Sequence, residues 1–407
     1  MSERRSNSDA GFGTRAIAAA TRAPDVTQEP GTVPIYQAVT FNAHDSAELG
    51  DILADKQPGY AYSRIDNPTS QAVGDAVAEI HGAPAGYAFA SGMAAAHAMF
   101  ISLLQAGDHV IAANTIYGGV QPLLDKWLTR LGIETTFVDI TDLDALEAAF
   151  RPNTRVLHVE SIANPTLIVT DTPAVAEIAH RHGAMLTVDN TFASPYLCRP
   201  YELGADLVMD ACTKWIGGHS DVLAGSVVGS AELIKTVRSA QVDTGGSLAP
   251  FSAFLVLRGI ATLHVRMERH SSNALALARA LEARQDVVRQ VLYPGLPSHP
   301  QFNVAQRVLR AGGGMLAFDL GDRAAAGRCI DALSVPPRTA SLGSVMTMAV
   351  HPPSTTHRQL DDAGLAEAGI REGLVRVSVG LEDIDDLLTD FEHGLNAARA
   401  TAATQSA

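Results

Sequence analysis

Lys214 differs from the other lysines of this chain in its surroundings. The sequence contains only four lysines, and Lys214 lies in an apolar and glycine-rich stretch at 206–219, directly after a short apolar strand. Lysine is strongly hydrated, so an amine enclosed in this way is expected to have a lowered pKa and to be available as a nucleophile. A loop lysine that reaches out to water is the alternative. The polar or amphipathic surroundings of Lys56, Lys126 and Lys235 are typical of surface lysines.

Ser91, Gly92 and Met93 stand where a loop turns into an alanine-rich helix. Free backbone N–H groups, a hydroxyl and the positive end of a helix dipole together form a phosphate site. Without further support, a serine that only caps the helix explains the same residues.

Asp189 ends an apolar strand at 185–188 and precedes Asn190 and Thr191. A carboxylate in this position can hold a protonated ring nitrogen, or it can simply stabilise a turn. The phosphate site, Asp189 and Lys214 follow one another along the chain. An anion site, a counter-charge for a pyridinium and an amine for a Schiff base are the components needed to bind pyridoxal phosphate (PLP).

Helices and short apolar strands alternate from about residue 70. This pattern predicts an α/β fold with a mostly parallel sheet that is covered on both faces, and ligands bind beyond the carboxyl ends of such strands. Asp189 and the Thr213–Lys214 pair fall at two of these ends. The predicted strands are 109–113, 135–138, 155–159, 185–188 and 206–209, and the predicted helices are 71–81, 93–105, 121–131, 143–150 and 173–182.

The length of 407 residues indicates more than one domain. Residues 1–65 are rich in proline and predict an extended arm that lies on a neighbouring subunit. We predict an α/β cofactor-binding domain at 66–260 and a smaller α+β domain at 261–407. The smaller domain is predicted from a long helical region at 252–284, a segment at 287–293, strands at 315–320 and 374–379, a helix at 383–398 and a frayed tail at 401–407.

The composition excludes several partners. Thirty basic and 44 acidic residues give a net charge of −14, which disfavours binding to nucleic acid or to an anionic membrane. Three widely spaced cysteines fit a reducing compartment and argue against a disulfide framework or a cysteine zinc site. No run of about 18 apolar residues could span a bilayer, and the polar residues 1–9 lack a signal-peptide core. We therefore predict a soluble, cytoplasmic protein without a metal site.

Eight motifs in order resemble those of the γ-family of PLP enzymes of cysteine and methionine metabolism, from about residue 12 onward. This family contains cystathionine γ-synthase, cystathionine γ-lyase, methionine γ-lyase and the O-acylhomoserine sulfhydrylases. The resemblance implies PLP fold type I, which is aspartate-aminotransferase-like, with a smaller α+β C-terminal domain. The motifs are YSRIDNPT at 62–69, ASGM at 90–93, YGG at 117–119, ESIANP at 160–165, VDNT at 188–191, TK at 213–214 with GGHSD at 217–221, SLG at 341–343 and EGLVRVSVGLED at 372–383.

The resemblance implies a role for each matching residue. Lys214 is the residue that binds PLP covalently and then serves as a base, and Tyr117 stacks on the cofactor and assists proton transfer. The other cofactor contacts are implied for Ser91, Gly92, Met93 and Thr213 at the phosphate, Asp189 at the pyridine nitrogen, and Asn164 at the phenolic oxygen.

Further implied roles concern the substrate and the assembly. Ser341 and Arg376 hold the substrate α-carboxylate, for which a guanidinium fork is well suited. Tyr62 and Arg64 reach the phosphate of a neighbouring subunit, which implies a homotetramer built from catalytic dimers.

Two positions depart from the family pattern. Ala211 replaces a serine that commonly binds the phosphate, and the loss of one hydroxyl contact could weaken cofactor binding by about 1 kcal/mol. Gly119 stands where methionine γ-lyases typically carry a reactive cysteine.

The resemblance leaves two reactions open. Enzymes that handle cystathionine place charged side chains where this chain has Ala61, Pro122 and Ala340, and burying the charged end of cystathionine without partners would be costly. We therefore predict γ-elimination on L-methionine or a related sulfur amino acid, giving an α-keto acid, ammonia and a thiol. The alternative is γ-replacement on O-acetyl- or O-succinyl-homoserine, because residues 351–357 (HPPSTTH) resemble γ-synthases and sulfhydrylases.

Other protein classes fit the sequence less well. The histidine pairs His180–His182 and His351–His357 lack ligand spacing with a carboxylate, which disfavours a metal hydrolase. The glycines at 312–314 precede a strand instead of following one, which disfavours a nicotinamide enzyme. A non-catalytic binding protein on this fold should have lost Lys214 or Tyr117, and both are present.

Overall fold

The structure is a computed structural model that describes residues 30–358 and 360–399. The predicted tail at 401–407 and the first 29 residues of the predicted arm lie outside the described residues. The described part of the arm is irregular chain with several turns and contains one helix, α1 (Ser46–Leu53), which buries none of its residues. Asp45 caps this helix, because its carboxylate accepts a hydrogen bond from the Glu48 N–H at 2.8 Å.

The helices that follow are mostly those that the apolar periodicity predicts, with shifted ends. The first, α2, begins at Pro68 because Asn67 caps it and proline suits the first helical position. The further helices are α3 (Gly92–Leu103), α4 (Leu143–Ala148), α5 (Thr172–Arg181), α6 (Ala231–Thr244), α7 (Pro250–Ala261), α8 (Leu263–Ala283), α9 (Phe302–Val308), α10 (Arg323–Ala332), α11 (Asp362–Glu367) and α12 (Ile384–Arg399), with α2 spanning Pro68–His81.

A seven-stranded sheet forms the larger part of the molecule, in the order β1-β7-β6-β5-β4-β2-β3. Strand β7 is antiparallel to both β1 and β6, and the remaining pairs are parallel. The predicted mostly parallel sheet and its five predicted strands are confirmed. The strands are β1 (Ala85–Phe89), β2 (His109–Ala113), β3 (Glu134–Val138), β4 (Thr154–Glu160), β5 (Met185–Asp189), β6 (Leu207–Asp210) and β7 (Gly225–Gly229).

A four-stranded antiparallel sheet lies in the C-terminal part, in the order β10-β11-β9-β8. Its apolar face packs on a separate hydrophobic core to which α8, α10 and α12 contribute. In this core the rings of Phe318 and Phe391 pack edge to face, with their centroids 6.4 Å apart. The first sheet ends at Gly229 and this one begins at Gln290, so the predicted division near residue 260 falls between them. The strands are β8 (Gln290–Leu292), β9 (Met315–Asp319), β10 (Met348–Val350) and β11 (Leu374–Ser378).

Two predicted helical regions are confirmed as helical, but each is divided. The predicted helical region at 252–284 consists of two helices, α7 and α8, because the chain leaves helical geometry at Thr262. The predicted helix at 121–131 is a helical turn at Val120–Pro122, a π-helical stretch at Leu123–Leu128 and a 3₁₀ turn at Thr129–Leu131.

The carboxyl ends of β4, β5 and β6 lie side by side at one edge of the large sheet, since these strands are parallel neighbours. They end in Glu160, Asp189 and Asp210. Strand β11 supplies Arg376 from the small sheet. Among the described residues, no helix is both long and apolar enough to cross a membrane.

Candidate active site

A cavity of about 580 Å³ lies where the carboxyl edge of the large sheet meets the small sheet. Its volume is in the range of small-molecule sites. The cavity brings together most of the residues singled out in the sequence, namely Ser91, Gly92, Met93, Tyr117, Asn164, Asp189, Thr213, Lys214, Ala340, Ser341 and Arg376.

Lys214 enters this cavity from the loop after β6. Its Nζ donates a hydrogen bond to the Ser341 hydroxyl at 2.8 Å. Burial, together with the positive charge of Arg376, lowers the pKa of Lys214 below its usual value. A lysine in this state loses its proton more easily than a surface lysine, in agreement with the expectation from its sequence context.

The backbone around Lys214 is held from two sides. Arg266 on α8 is buried, and its guanidinium donates to the carbonyl oxygens of Trp215 at 2.6 Å and Ile216 at 3.2 Å. Gly343 has φ of +78°, and a Cβ there would lie 2.7 Å from the Lys214 carbonyl carbon. Lys214 therefore projects from a loop with little room to move.

The start of α3 forms the anion site that the sequence indicates. The Ser91 side chain accepts from the Ala94 N–H at 3.1 Å, which leaves the N–H groups of Gly92 and Met93 at the open end of the helix. A Cβ on Gly92 would lie 2.7 Å from the Ala211 Cβ, so a side chain at 92 has no room. Thr213 lines the same end of the cavity. The donor set and the cleared space fit a phosphate group.

Asp189 is a buried carboxylate at the end of β5. One of its oxygens accepts from the Thr191 N–H at 2.9 Å, and the residue lines the cavity. Burial raises the pKa of Asp189 to about 6. A cationic ring N–H opposite this carboxylate would favour its charged form, so Asp189 fits the pyridinium of PLP.

Arg376 is almost fully buried on β11. Its guanidinium donates to Asn164 Oδ1 at 2.8 Å and to the Ser341 carbonyl at 2.9 Å. Burial lowers the pKa of Arg376 to about 10. Its Nε is buried without a hydrogen-bond partner among the described residues. A buried unpaired donor is costly, so the site fits an anionic ligand such as a carboxylate.

Tyr117 lies at the mouth of the cavity and is 46% exposed. Its backbone N–H donates to Glu160 Oε1 at 2.6 Å. Its ring lies against Gly119, where an added Cβ would be 2.6 Å from the ring carbon Cε1.

Several cavity residues have no role in the sequence analysis. They are Glu160, Thr191, Phe192, Leu223, Thr356 and His357 among others. For Glu160 a signal was available, since it directly follows a predicted strand just as Asp189 does. Thr356 and His357 belong to the segment 351–357 that resembles γ-synthases and sulfhydrylases, but the resemblance assigned no cavity contact to either residue, and they reach the cavity through an irregular segment.

Four predicted site residues do not line this cavity: Ala61, Tyr62, Arg64 and Pro122. Tyr62 is 40% exposed. The guanidinium of Arg64 donates to the Val242 carbonyl and lies 5.7 Å from the centre of the Tyr62 ring. Their predicted contact with a neighbouring subunit stays a prediction.

Residues 13–396 match the model of the Cys/Met metabolism PLP-dependent enzyme family. The chain belongs to this family. It is therefore a PLP-dependent enzyme, and the predicted family and cofactor are confirmed.

Individual relatives of this PLP-dependent enzyme cover nearly its whole length. An L-methionine γ-lyase from Pseudomonas putida is 44% identical, over 97% of this chain and 99% of the relative. An O-succinylhomoserine sulfhydrylase from Pseudomonas aeruginosa is 42% identical, over 89% of this chain and 90% of the relative.

A crystal structure described as an O-acetylhomoserine (thiol)-lyase from Campylobacter jejuni has the same fold. It is 33% identical with a TM-score of 0.88, and the match covers 92% of this chain and 97% of that one. It contains a pyridoxyl-lysine phosphate group. The predicted fold type I is thereby confirmed for this PLP-dependent enzyme.

Proposed function

We propose that this enzyme catalyses γ-elimination on L-methionine or a related sulfur amino acid, giving an α-keto acid, ammonia and a thiol. The observation that carries the proposal is the L-methionine γ-lyase from Pseudomonas putida, which is 44% identical along 97% of this chain. A match of this extent includes every segment that contributes to the cavity.

The cofactor is held by residues from five parts of the cavity. Gly92 and Met93 at the start of α3, with Ser91 and Thr213, bind its phosphate, and Asp189 pairs with its ring nitrogen. Tyr117 covers the ring, Asn164 donates its amide N–H to the phenolic oxygen, and Lys214 forms the covalent bond. When bound, PLP supplies an electron sink for the negative charge that develops at the substrate Cα.

The substrate α-carboxylate binds to Arg376 and Ser341. The Arg376 side chain is already oriented by Asn164 and the Ser341 carbonyl, and its Nε is buried without a partner among the described residues. A carboxylate oxygen satisfies that donor. An oriented guanidinium loses little entropy on binding, which favours a defined substrate position.

Lys214 moves the protons of the reaction. The substrate amine would displace Lys214 from its bond to the cofactor, and the freed Nζ would take the proton from Cα, pass it to the cofactor and then take a proton from Cβ. The Cγ–S bond breaks, its electron pair leaves with the sulfur, and the Tyr117 hydroxyl supplies the proton that completes the thiol. Addition of water releases the keto acid and ammonia. The lowered pKa of Lys214 suits this role, because more of the amine is neutral near neutral pH.

The distal end of the substrate selects the reaction. Ala340 lines the cavity and carries no charge, whereas Ala61 and Pro122 lie outside the cavity of their own chain. The charged end of cystathionine would find no partner in Ala340, whereas a thioether methyl loses nothing beside an apolar side chain. Ala340 therefore supports a substrate such as methionine.

A second candidate is γ-replacement on O-acetyl- or O-succinyl-homoserine. The O-succinylhomoserine sulfhydrylase of Pseudomonas aeruginosa is 42% identical over 89% of this chain. An acyl ester also suits an apolar distal site, and Gly119 lacks the thiol that methionine γ-lyases typically carry. In this reaction a thiol adds to the substrate after the leaving group has departed, whereas elimination releases the product at that stage.

We further propose a cytoplasmic homotetramer built from catalytic dimers, in which Tyr62 and Arg64 bind the phosphate in the neighbouring subunit. Their position outside the cavity of their own chain supports this arrangement. The chain divides into an arm at 1–65, a cofactor-binding domain at 66–260 and a C-terminal domain at 261–407.

The proposed reaction is tested by comparing substrates on the PLP-loaded enzyme. L-Methionine is supplied alone, and O-acetyl- or O-succinyl-homoserine is supplied with a thiol, while keto acid and thioether products are measured. We expect keto acid and methanethiol from methionine without added thiol. Thioether formed only from an ester and a thiol, with no keto acid from methionine, would instead establish the replacement reaction.

A further inference from the structure

Glu160 is a buried carboxylate in the cavity that none of the steps above uses. It is the last residue of β4 and stands directly opposite Asp189 in the neighbouring strand β5. It is 5% exposed and lines the cavity. Within the described part of the chain it forms no ion pair with a basic side chain. A carboxylate is costly to bury in this way, so its contacts require an explanation.

Both oxygens of Glu160 accept a backbone hydrogen bond from a different loop of the site. Oε1 accepts from the Tyr117 N–H at 2.6 Å, and Oε2 accepts from the Asn164 N–H at 3.0 Å. The two donors are 47 residues apart in the sequence. A single side chain therefore joins the loop of the ring-covering tyrosine to the loop that faces the other side of the cavity.

The connection continues from Asn164 to the substrate side. Asn164 Oδ1 accepts from Arg376 at 2.8 Å, and Arg376 also donates to the Ser341 carbonyl at 2.9 Å. The Ser341 hydroxyl in turn accepts from Lys214 Nζ at 2.8 Å. One chain of hydrogen bonds thus runs from Glu160 to the carboxylate-binding arginine and to the lysine.

Only a carboxylate supplies two acceptor oxygens on one fork. The amide of glutamine has the same shape but offers one acceptor, and its NH₂ group would face an N–H donor. Burial and the neighbouring charge of Asp189 raise the pKa of Glu160 well above its usual range, while the two N–H groups favour the charged form. Burying this carboxylate costs free energy, and both of its hydrogen bonds hold loops of the site.

We infer that Glu160 is a positioning residue that fixes Tyr117 and, through Asn164, Arg376 at a set separation across the cavity. Its two oxygens accept from backbone N–H groups of Tyr117 and Asn164 and not from their side chains. It acts by keeping the ring-covering tyrosine and the carboxylate-binding arginine in register when the substrate binds between them. The inference deepens the proposed function and rests on it only for the identity of the substrate.

Glu160→Gln tests this inference in the PLP-loaded enzyme. The readout is the binding of L-norleucine, which is measured from the change in visible absorbance at a temperature well below unfolding. Norleucine has an α-carboxylate but no leaving group on Cγ. We expect norleucine to bind roughly tenfold or more weakly, because one of the two loops loses its acceptor. Glu160→Asp keeps both oxygens and should recover part of the affinity.

Glu177→Gln is the matched control. Glu177 is exposed and pairs with Arg181 one helical turn away, so this substitution should leave norleucine binding unchanged. If Glu160 served only general stability, Glu160→Gln would lower the unfolding temperature but leave norleucine affinity at the wild-type value. That result would overturn the inference.

Hydrogen exchange in the unsubstituted enzyme provides a second test that needs no variant to fold. The Tyr117 N–H lies in a loop at the cavity mouth but should exchange slowly, because Glu160 accepts its proton. Rapid exchange of the Tyr117 and Asn164 amides would contradict the inference. Neither test depends on turnover of methionine, so a failure of the proposed reaction would be seen separately in the product assay.

Discussion

Gly119 determines where the ring of Tyr117 rests. A Cβ at position 119 would lie 2.6 Å from Cε1 of the ring and 3.1 Å from Cζ, so ring and side chain cannot occupy the same space. Methionine γ-lyases typically carry cysteine here, and a cysteine would require another ring position. The glycine therefore leaves room for the position that the Tyr117 ring occupies.

We predict that Gly119→Ala lowers kcat by tenfold to a hundredfold, roughly, because small displacements of a residue at the reacting centre are costly. The half-exposed ring can move aside, so the unfolding temperature should change little. Gly327→Ala is the control, since nothing lies within 4 Å of a Cβ there. Steady-state kinetics on methionine compare the two variants. Wild-type kcat in Gly119→Ala would show that the ring position does not matter.

At the level of residues, type and position after a strand made Asp189 and Lys214 candidates, and their order along the chain with the phosphate site, together with the family resemblance, gave them roles. The same rule applied to Glu160 would have identified a cavity residue, but not its contacts. The contact between Arg376 and Asn164 joins residues 212 positions apart. Such a contact depends on how the two sheets meet, which local sequence does not encode.

The strands that carry the site were predictable because they are buried on both faces. Strands β2 and β4–β6 are rich in apolar residues. The bounds of β2 agree with the prediction, and those of β4–β6 differ from it by one residue at one or both ends. Strands β1 and β7 were missed because glycine and alanine weaken the apolar signal. Gly225 in β7 is required by packing, since a Cβ there would collide with the Ser91 carbonyl beside the anion site.

The break between α7 and α8 also has its cause in the site. Gly259 near the end of α7 packs against the backbone of Ile216 and Gly217, where a Cβ would collide with the carbonyl oxygens. The chain then turns at Thr262, and α8 brings Arg266 to the same loop. The predicted helical region at 252–284 covers both helices, but the apolar pattern does not record the turn between them. The two helices together hold the segment that carries Lys214.

At the scale of the whole molecule, some predicted site residues do not line the cavity of their own chain. Tyr62 and Arg64 lie outside the cavity, and the described arm exposes apolar side chains of Ile35, Tyr36 and Val39. A second copy of the chain would cover such residues. In a closed pair of subunits each arm can complete the site of its partner.

This arrangement predicts complementation between two inactive variants. Lys214→Ala lacks the amine, and Arg64→Ala lacks the guanidinium that the neighbouring site needs. In a pair made of one subunit of each variant, one of the two sites contains both an unsubstituted Lys214 and an unsubstituted Arg64. A mixed pair should therefore have about half of wild-type activity. Random mixing should restore about a quarter over the whole population, and slightly more in doubly tagged tetramers, because tetramers of a single variant are removed.

The two variants are co-expressed with different tags, and doubly tagged assemblies are isolated and assayed. Recovery of activity supports a site shared between subunits. Doubly tagged assemblies as inactive as the separate variants would contradict it. Lys214→Ala mixed with itself is the control and should stay inactive.

The central claim is that Lys214 carries the cofactor in a site built by both sheets. The most direct measurement is borohydride reduction of the yellow PLP-loaded enzyme, followed by digestion and mass spectrometry. We predict a pyridoxyl group on the peptide that contains Lys214, and a Lys214→Ala protein with neither the adduct nor turnover. An adduct on Lys56, Lys126 or Lys235 alone, or an active Lys214→Ala protein, would contradict the account.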